Sequence, residues 1–400
     1  MGSVSSRCEH HAIDGEGAAH AGHGAAFEAV HGSMEGAGMK VGIVGMPGAG
    51  KTAVFRLLTG GNPSARQDAS IGMAKVPDAR IDVLSGMFRP RKTTYAQIEV
   101  VDLTGSGGVA RSGADQSGRA RERGISLLIN HMRTVDALIH VVRTFQAAEG
   151  EPANPVSDAM SLNDELILAD MAIAEARVER LRSSRRRTAD EDRELELMEL
   201  LAAEFGEGKG VREIELDKYN QDSLRGYGLL SVKPMIVVAN MSEEQFQAGG
   251  FEEEAQLQGR CDERHTPYVR LCASIEADIA ELPAEERSAF MDAYGIVSTG
   301  VERVSRAVYE RLGLVSFFTV GEDEVRAWPI AAGTNAKRAA GKIHSDIEHG
   351  FIRAEIVAYD DLIRLGSYAA ARAAGVFRLE GREYTMVDGD IVNFRFSPPR

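Results

Sequence analysis

From residue 40 onward the chain sets short apolar runs against polar, glycine-bearing breaks. Val41, Ile43 and Val44 make the first run, Ile98 to Val101 the second, Ala137 to Val142 the third and Met235 to Ala239 the fourth. Runs this short, bounded by turn residues and rich in β-branched side chains, predict buried strands. After the first run, Phe55, Leu57 and Leu58 follow at helical spacing. Strands alternating with helices predict an α/β fold with a mostly parallel sheet.

Two stretches break that rhythm. Residues 143–234 are too many for a simple crossover between strands. Leu162, Leu166, Ala169, Ile173 and Ala176 recur there at helical spacing, and Leu195, Met198, Leu201 and Phe205 repeat it after the charged break RLRSSRRRTADED. A helical hairpin of coiled-coil character is therefore expected as an insert over residues 155–228. From Phe317 the pattern turns to FFTVG, EVRAWPI, FIRAEIVAY and EYTMVDGDIVNFRF, with a helix start at Asn335 and turns at Gly381 and Gly389. That predicts a small α+β domain over 317–400, behind a larger α/β domain over 39–316.

Composition narrows the picture. The first 38 residues are rich in Gly, Ala and Ser, carry scattered histidines and show no apolar period, so they read as a disordered extension. Their MGSVSS start also fits the short myristoylation pattern, which recurs by chance. Met39 stands directly before the first strand as an alternative start. The net charge of −14 argues against generic attraction to nucleic acid or anionic membrane, and no sequence-specific DNA reader is suggested. Cys8, Cys261 and Cys272 have neither disulfide nor metal-ligand spacing, which fits a reducing cytoplasm. No apolar run approaches the ~18 residues of a membrane helix.

The chemistry begins at GMPGAGKT, which satisfies G-x-x-x-x-G-K-[ST] from Gly45 to Thr52. Glycines let the backbone wrap phosphate, so Gly45, Met46, Pro47, Gly48, Ala49, Gly50, Lys51, Thr52 and Ala53 are candidate nucleotide contacts. Lys51 supplies charge to the terminal phosphates, and the Thr52 hydroxyl is a candidate Mg²⁺ ligand. The second strand ends in Asp102, and D-x-x-G runs on to Gly105. Asp102 is the second candidate for Mg²⁺, and a Gly105 N–H would meet the terminal phosphate. Lys51, Asp102 and Gly105 are thus the candidate catalytic set.

The fourth strand ends at Asn240, where a nucleotide sheet reads its base. A guanine-reading loop wants Lys and Asp, whereas Met241 and Glu243 stand here. Glu changes the reach of the carboxylate, and Met removes a charge and leaves an adaptable apolar surface. Asn240 can tie the loop to the P-loop or bond a purine edge. A tolerated GTPase variant and a loss of guanine selectivity both fit these residues.

GMPGAGKT, VPDARIDVLSGMFRP, QIEVVDLTG, LIHVVR, LNDELILADM, LLSVKPMIVVANMSEE and CASIEADIAEL, with most of Phe317 to Phe396, resemble the YchF group of Obg-like ATPases over residues 39–400. The resemblance implies ATP as the nucleotide, through N-x-x-E at Asn240–Glu243. It implies that Ser274, in Cys272-Ala273-Ser274, helps complete the base pocket, and that a ubiquitin-like TGS domain closes the chain. It also implies the ribosome or ribosomal RNA as partner, approached by the hairpin arginines Arg180, Arg182, Arg185, Arg186 and Arg187 or by Arg326, Lys342, Arg353 and Arg395. A run of arginines is equally read as a solvated loop.

The departures from that group touch catalysis. No threonine lies between Gly60 and Gly72, Ser106 follows Gly105, and FQAAEGEPANP lacks the group's loop histidine. His140 lies inside a strand and reads as structural; Arg119, Arg121 and Arg123 read as loop charges or as phosphate-facing substitutes. Slow ATP hydrolysis is the leading expectation, beside a GTPase and a nucleotide-binding docking module that no longer hydrolyses.

Overall fold

Lys40–Val44 forms β1, Ser64–Arg66 β2, Ala69–Lys75 β3, Lys92–Thr94 β4, Gln97–Asp102 β5, Ala137–Arg143 β6, Met235–Asn240 β7 and Tyr268–Leu271 β8. Seven of these make one sheet in the order β2-β3-β5-β1-β6-β7-β8. From β5 to β8 every pairing is parallel, and β2 and β3 add an antiparallel edge. The computed structural model describes residues 39–61, 64–66, 69–103, 128–146, 150 and 152–397. Residues 1–38, Gly105, Ser106, Arg119, Arg121 and Arg123 lie outside the described residues.

The central strands are apolar on both faces because helices cover both. All seven residues of β6 and all six of β7 are buried, the expected pattern for parallel strands inside a sheet. Helix α1, Lys51–Thr59, follows β1 and seats Val54, Phe55 and Leu58 in the core.

The insert holds the expected hairpin, with sharper limits. One helix spans Pro155–Ser183 and its partner Ala189–Gly206, so the break is only Ser184 to Thr188. Much of the supposed charged hinge is helix, because Thr188 and Glu191 form a capping box that starts the second helix early. Met198, Leu201 and Phe205 are buried as expected, but Ala176 is exposed. The buried stripe of the first helix runs through Asn163, Leu166, Ile167, Asp170 and Ala174. Its polar members have tasks. Asp170 accepts the backbone N–H groups of Leu230 and Ser231 at 2.7 Å each, and Asn163 accepts from Arg212.

Leu314–Val320 (β9), Glu324–Ala331 (β10), Phe351–Ala358 (β11), Arg378–Glu380 (β12) and Asp390–Phe396 (β13) build the second sheet, in the order β12-β11-β13-β9-β10-β4. A helix over Ala336–Ile343 starts at an Asn335 cap, as its sequence predicts. The sixth strand was not legible. β4 leaves the N-terminal half and pairs in parallel with β10, at Lys92 to Thr94 against Glu324 to Arg326.

The excursion from β3 to β5 thus carries helix α2, Ala79–Phe88, and β4 into the C-terminal sheet. Ile81 and Leu84 of α2 share one core with Phe318, Val325 and Ile391. Arg80 fixes the junction, donating to Asp388 at 2.7 and 3.2 Å and to Asp78 at 2.9–3.3 Å. Thr94 donates to Glu324 at 2.6 Å beside it.

Candidate nucleotide site

The P-loop joins β1 to α1 at the carboxyl edge of the sheet, where an α/β fold places ligands. Its curvature needs glycine, most plainly at Gly45 and Gly50. Gly45 has φ +144°, and a Cβ there would lie 2.2 Å from the Val141 carbonyl oxygen. Gly50 has φ +90°, and a Cβ there would lie 2.3 Å from Asn240 Nδ2. Among the loop residues Ala49 is buried, while Met46, Pro47 and Gly48 are exposed. Thr52 and Ala53 are exposed in the first turn of α1.

Lys51 is buried at the mouth of the loop, with Nζ donating to the Gly45 and Met46 carbonyls at 2.9 and 2.6 Å. Thr52 Oγ1 donates to Asp102 Oδ2 at 3.1 Å. A threonine hydroxyl and a carboxylate placed together beside a phosphate cradle suit a magnesium ion, which also takes oxygens from the substrate. Among the described residues there is no cluster of three or more His, Cys, Asp or Glu side chains for a metal. A two-residue contribution of this kind is what a phosphate-shared ion needs.

Burial lowers the Lys51 ammonium from its ordinary 10.5 to about 8, and Asp102 opposes part of that shift. The folded chain therefore releases this proton before the unfolded chain does. Stability gains from this group as pH rises from about 8 toward 10.5, and the full burial penalty is present below 8. A triphosphate favours the charged ammonium. Near pH 9, binding of Mg-ATP is expected to take up a substantial fraction of a proton. Calorimetry in two buffers of different ionisation enthalpy should show it, and identical apparent enthalpies would contradict it.

The base end is tied directly to the phosphate end. Buried Asn240 donates from Nδ2 to the Ala49 carbonyl at 3.0 Å and accepts the Ala273 N–H on Oδ1 at 3.2 Å. Of the two roles open to Asn240, tying the loops together is the one made here. Ser242 and Gln245 form a capping box that starts the short helix Glu243–Gln247. Glu243 is its first residue and is exposed. Ser274 is exposed in the helix Ala273–Glu281, its hydroxyl 3.3 Å from Cys272 Sγ.

Met241 differs from expectation. It offers no open apolar surface, because its N–H continues the β7–β8 pairing to the Leu271 carbonyl at 2.8 Å and its side chain is buried. His140 is fully buried, and burial with the nearby Lys51 charge lowers it to about 3. It is neutral at physiological pH and has no hydrogen-bond partner among the described residues, in keeping with a structural place.

Sequence reading missed the brace behind the loop. The Thr144 hydroxyl lies 3.0 Å from the Asn240 carbonyl and 2.7 Å from Gln245 Oε1, while Gln245 Nε2 donates to the Thr144 carbonyl at 2.7 Å. The S-x-x-Q capping pattern at Ser242 was the available signal. Arg143, at the end of β6, was also missed.

A glycine cradle, an inward lysine and a Thr–Asp pair at the carboxyl edge of a parallel sheet define a P-loop nucleoside-triphosphate site. Residues 40–179 match the family described as 50S ribosome-binding GTPase, and residues 314–397 match the YchF-GTPase C-terminal family, described as a protein of unknown function. The chain is 36% identical over 371 residues to the ribosome-binding ATPase YchF of Bacillus subtilis (strain 168), covering 90% of this chain and 99% of that one. It is 32% identical to Obg-like ATPase 1 of Oryza sativa subsp. japonica, covering 90% and 92%. The structure of the Schizosaccharomyces pombe YchF GTPase superposes with a TM-score of 0.79 at 28% identity, over 90% of this chain and 98% of that chain. The chain belongs to the YchF family.

Proposed function

We propose that the chain is a ribosome-associated, Mg²⁺-dependent ATPase of low intrinsic rate, working in the cytoplasm. The observation that carries this is a frame of two parts: Thr52 and Asp102 pair beside the inward Lys51, and the Asn240 amide ties Ala49 of the P-loop to the N-x-x-E loop. A frame of this kind holds both ends of one nucleotide, and Glu243 in place of Asp favours adenine over guanine. The relatives' names, ribosome-binding ATPase and Obg-like ATPase, agree with that reading.

In this mechanism the P-loop N–H groups and Lys51 hold the phosphates, and charge developing on the terminal phosphoryl group falls on Lys51. Thr52 and Asp102 would hold Mg²⁺, which would supply positive charge to the phosphates. Asp102 ends β5, whose edge partner is β3, and the segment between those strands is α2 and β4. Movement at Asp102 is thereby linked through Arg80 and β4 to the C-terminal sheet, which we assign as a TGS-type docking domain. The hairpin tip exposes Arg180, Arg185 and Arg186, suited to ribosomal RNA phosphates.

Low rate follows from the sequence, which lacks a threonine between Gly60 and Gly72 and a histidine in the loop after β6. The same departures favour a second reading, a nucleotide-binding docking module without turnover. Single-turnover hydrolysis separates the two. The full chain should co-sediment with ribosomes more strongly with ATP than without nucleotide, and the Arg180→Glu/Arg185→Glu/Arg186→Glu variant should lose most of that association. Failure to co-sediment in every nucleotide state would overturn the ribosomal assignment.

A further inference from the structure

The strand order carries a consequence for the middle of the nucleotide. The phosphate loop leaves the end of β1, and the base loop leaves the end of β7, with β6 between them. Neighbouring strands lie ~4.8 Å apart, so the two loops start about 10 Å from one another. A nucleotide held at both must lay its sugar and α-phosphate across the carboxyl end of β6. The last residue of β6 is Arg143.

Three features suit Arg143 to that place. Its register partner in β7 is Asn240, so it stands beside the residue that joins the two loops. Its guanidinium reaches the P-loop: a Cβ on Gly48 would lie 3.8 Å from Arg143 Nη1. It is also largely buried, with 9% of its surface exposed, a costly position for a permanent cation without an anionic partner. Among the described residues its contacts are modest, a 3.4 Å hydrogen bond from Nη2 to the Pro152 carbonyl and an electrostatic attraction to the Asp158 carboxylate. The base loop meanwhile has lost its own cation, since buried Met241 stands where a guanine-reading loop carries lysine.

We propose that Arg143 binds the α-phosphate of the nucleotide, so that the charge missing from the base loop is supplied by the neighbouring strand. The proposal rests on the nucleotide-site reading above. Because the contact falls on a group shared by ATP, ADP and GTP, Arg143 sets affinity and leaves the choice of base to the Asn240–Glu243 loop. A guanidinium presents paired donors to phosphate, which lysine reproduces only as a point charge.

The test is calorimetric titration of the full chain, wild type, Arg143→Ala and Arg143→Lys, with Mg-ATP, Mg-ADP, Mg-GTP and adenosine, with melting measured in the absence of nucleotide. Arg143→Ala is expected to weaken ATP and ADP alike by about tenfold or more. The ATP-to-GTP ratio and adenosine binding should be unchanged, and Arg143→Lys should recover part of the loss. A folded Arg143→Ala protein that binds ATP within about twofold of wild type would overturn the proposal. So would equal weakening of adenosine, which marks a distorted site, or a loss confined to ATP, which marks a terminal-phosphate contact. If Arg143→Ala does not fold, Arg143→Gln takes its place under the same criteria. A wild-type chain that binds no nucleotide would instead defeat the nucleotide-site reading itself.

Discussion

Lys51→Ala is expected to weaken Mg-ATP binding by about a hundredfold and to remove measurable turnover, with the fold retained. Hydrogen bonds from a charged donor contribute about 1.5–3 kcal/mol each, and a P-loop lysine reaches more than one phosphate oxygen. Loss of the ammonium also removes positive charge from a site where the low dielectric magnifies it. The fold should tolerate the change. The buried ammonium is a burden in the free protein, as its lowered proton affinity records, and among the described residues it donates to the Gly45 and Met46 carbonyls of the loop. Equilibrium titration with Mg-ATP, beside a thermal melt without nucleotide, checks both halves. Undiminished affinity would mean that phosphate is not held at Gly45–Thr52.

Asn240→Ala should damage stability and binding together. The amide satisfies the Ala49 carbonyl on one side and the Ala273 N–H on the other, in a buried position. A buried group left without its partner costs about 1–3 kcal/mol, so a loss of about 2–4 kcal/mol in stability is expected. ATP affinity should fall by about tenfold or more as the P-loop and base loop lose their common tie. Asn240→Asp is the informative companion, since it keeps the acceptor for Ala273 and turns the donor toward Ala49 into a repelled carboxylate. Denaturant unfolding and nucleotide titration of both variants measure the two effects. A stable Asn240→Ala protein with normal affinity would show that the tie is dispensable.

Much of this was legible because the core strands are short, apolar and β-branched, and because phosphate binding demands glycine, lysine and threonine at fixed spacing. Val41–Val44, Ile98–Val101, Ala137–Val142 and Met235–Ala239 fall inside β1, β5, β6 and β7. The missed features are those that local pattern does not encode. β4 is three residues long and takes its meaning from β10, far along the chain. Asp170 reads as a solvent-facing helical acid, and only the turn at Leu230–Ser231 makes it a buried acceptor. Arg143 ends an apolar run in the manner of any strand-terminating charge, and its position over the sheet edge appears only with the strand order. Met241 was misjudged because one further backbone hydrogen bond to Leu271 carries it inside.

The central claim is that the loop Asn240–Glu243 makes this P-loop site an ATP site. The most direct measurement is titration of the full chain with Mg-ATP and Mg-GTP, alongside Glu243→Asp. Tighter binding of ATP by the wild type, with the preference reduced or reversed in Glu243→Asp, is the predicted result. Tighter binding of GTP by the wild type, or a preference unmoved by Glu243→Asp, would contradict it.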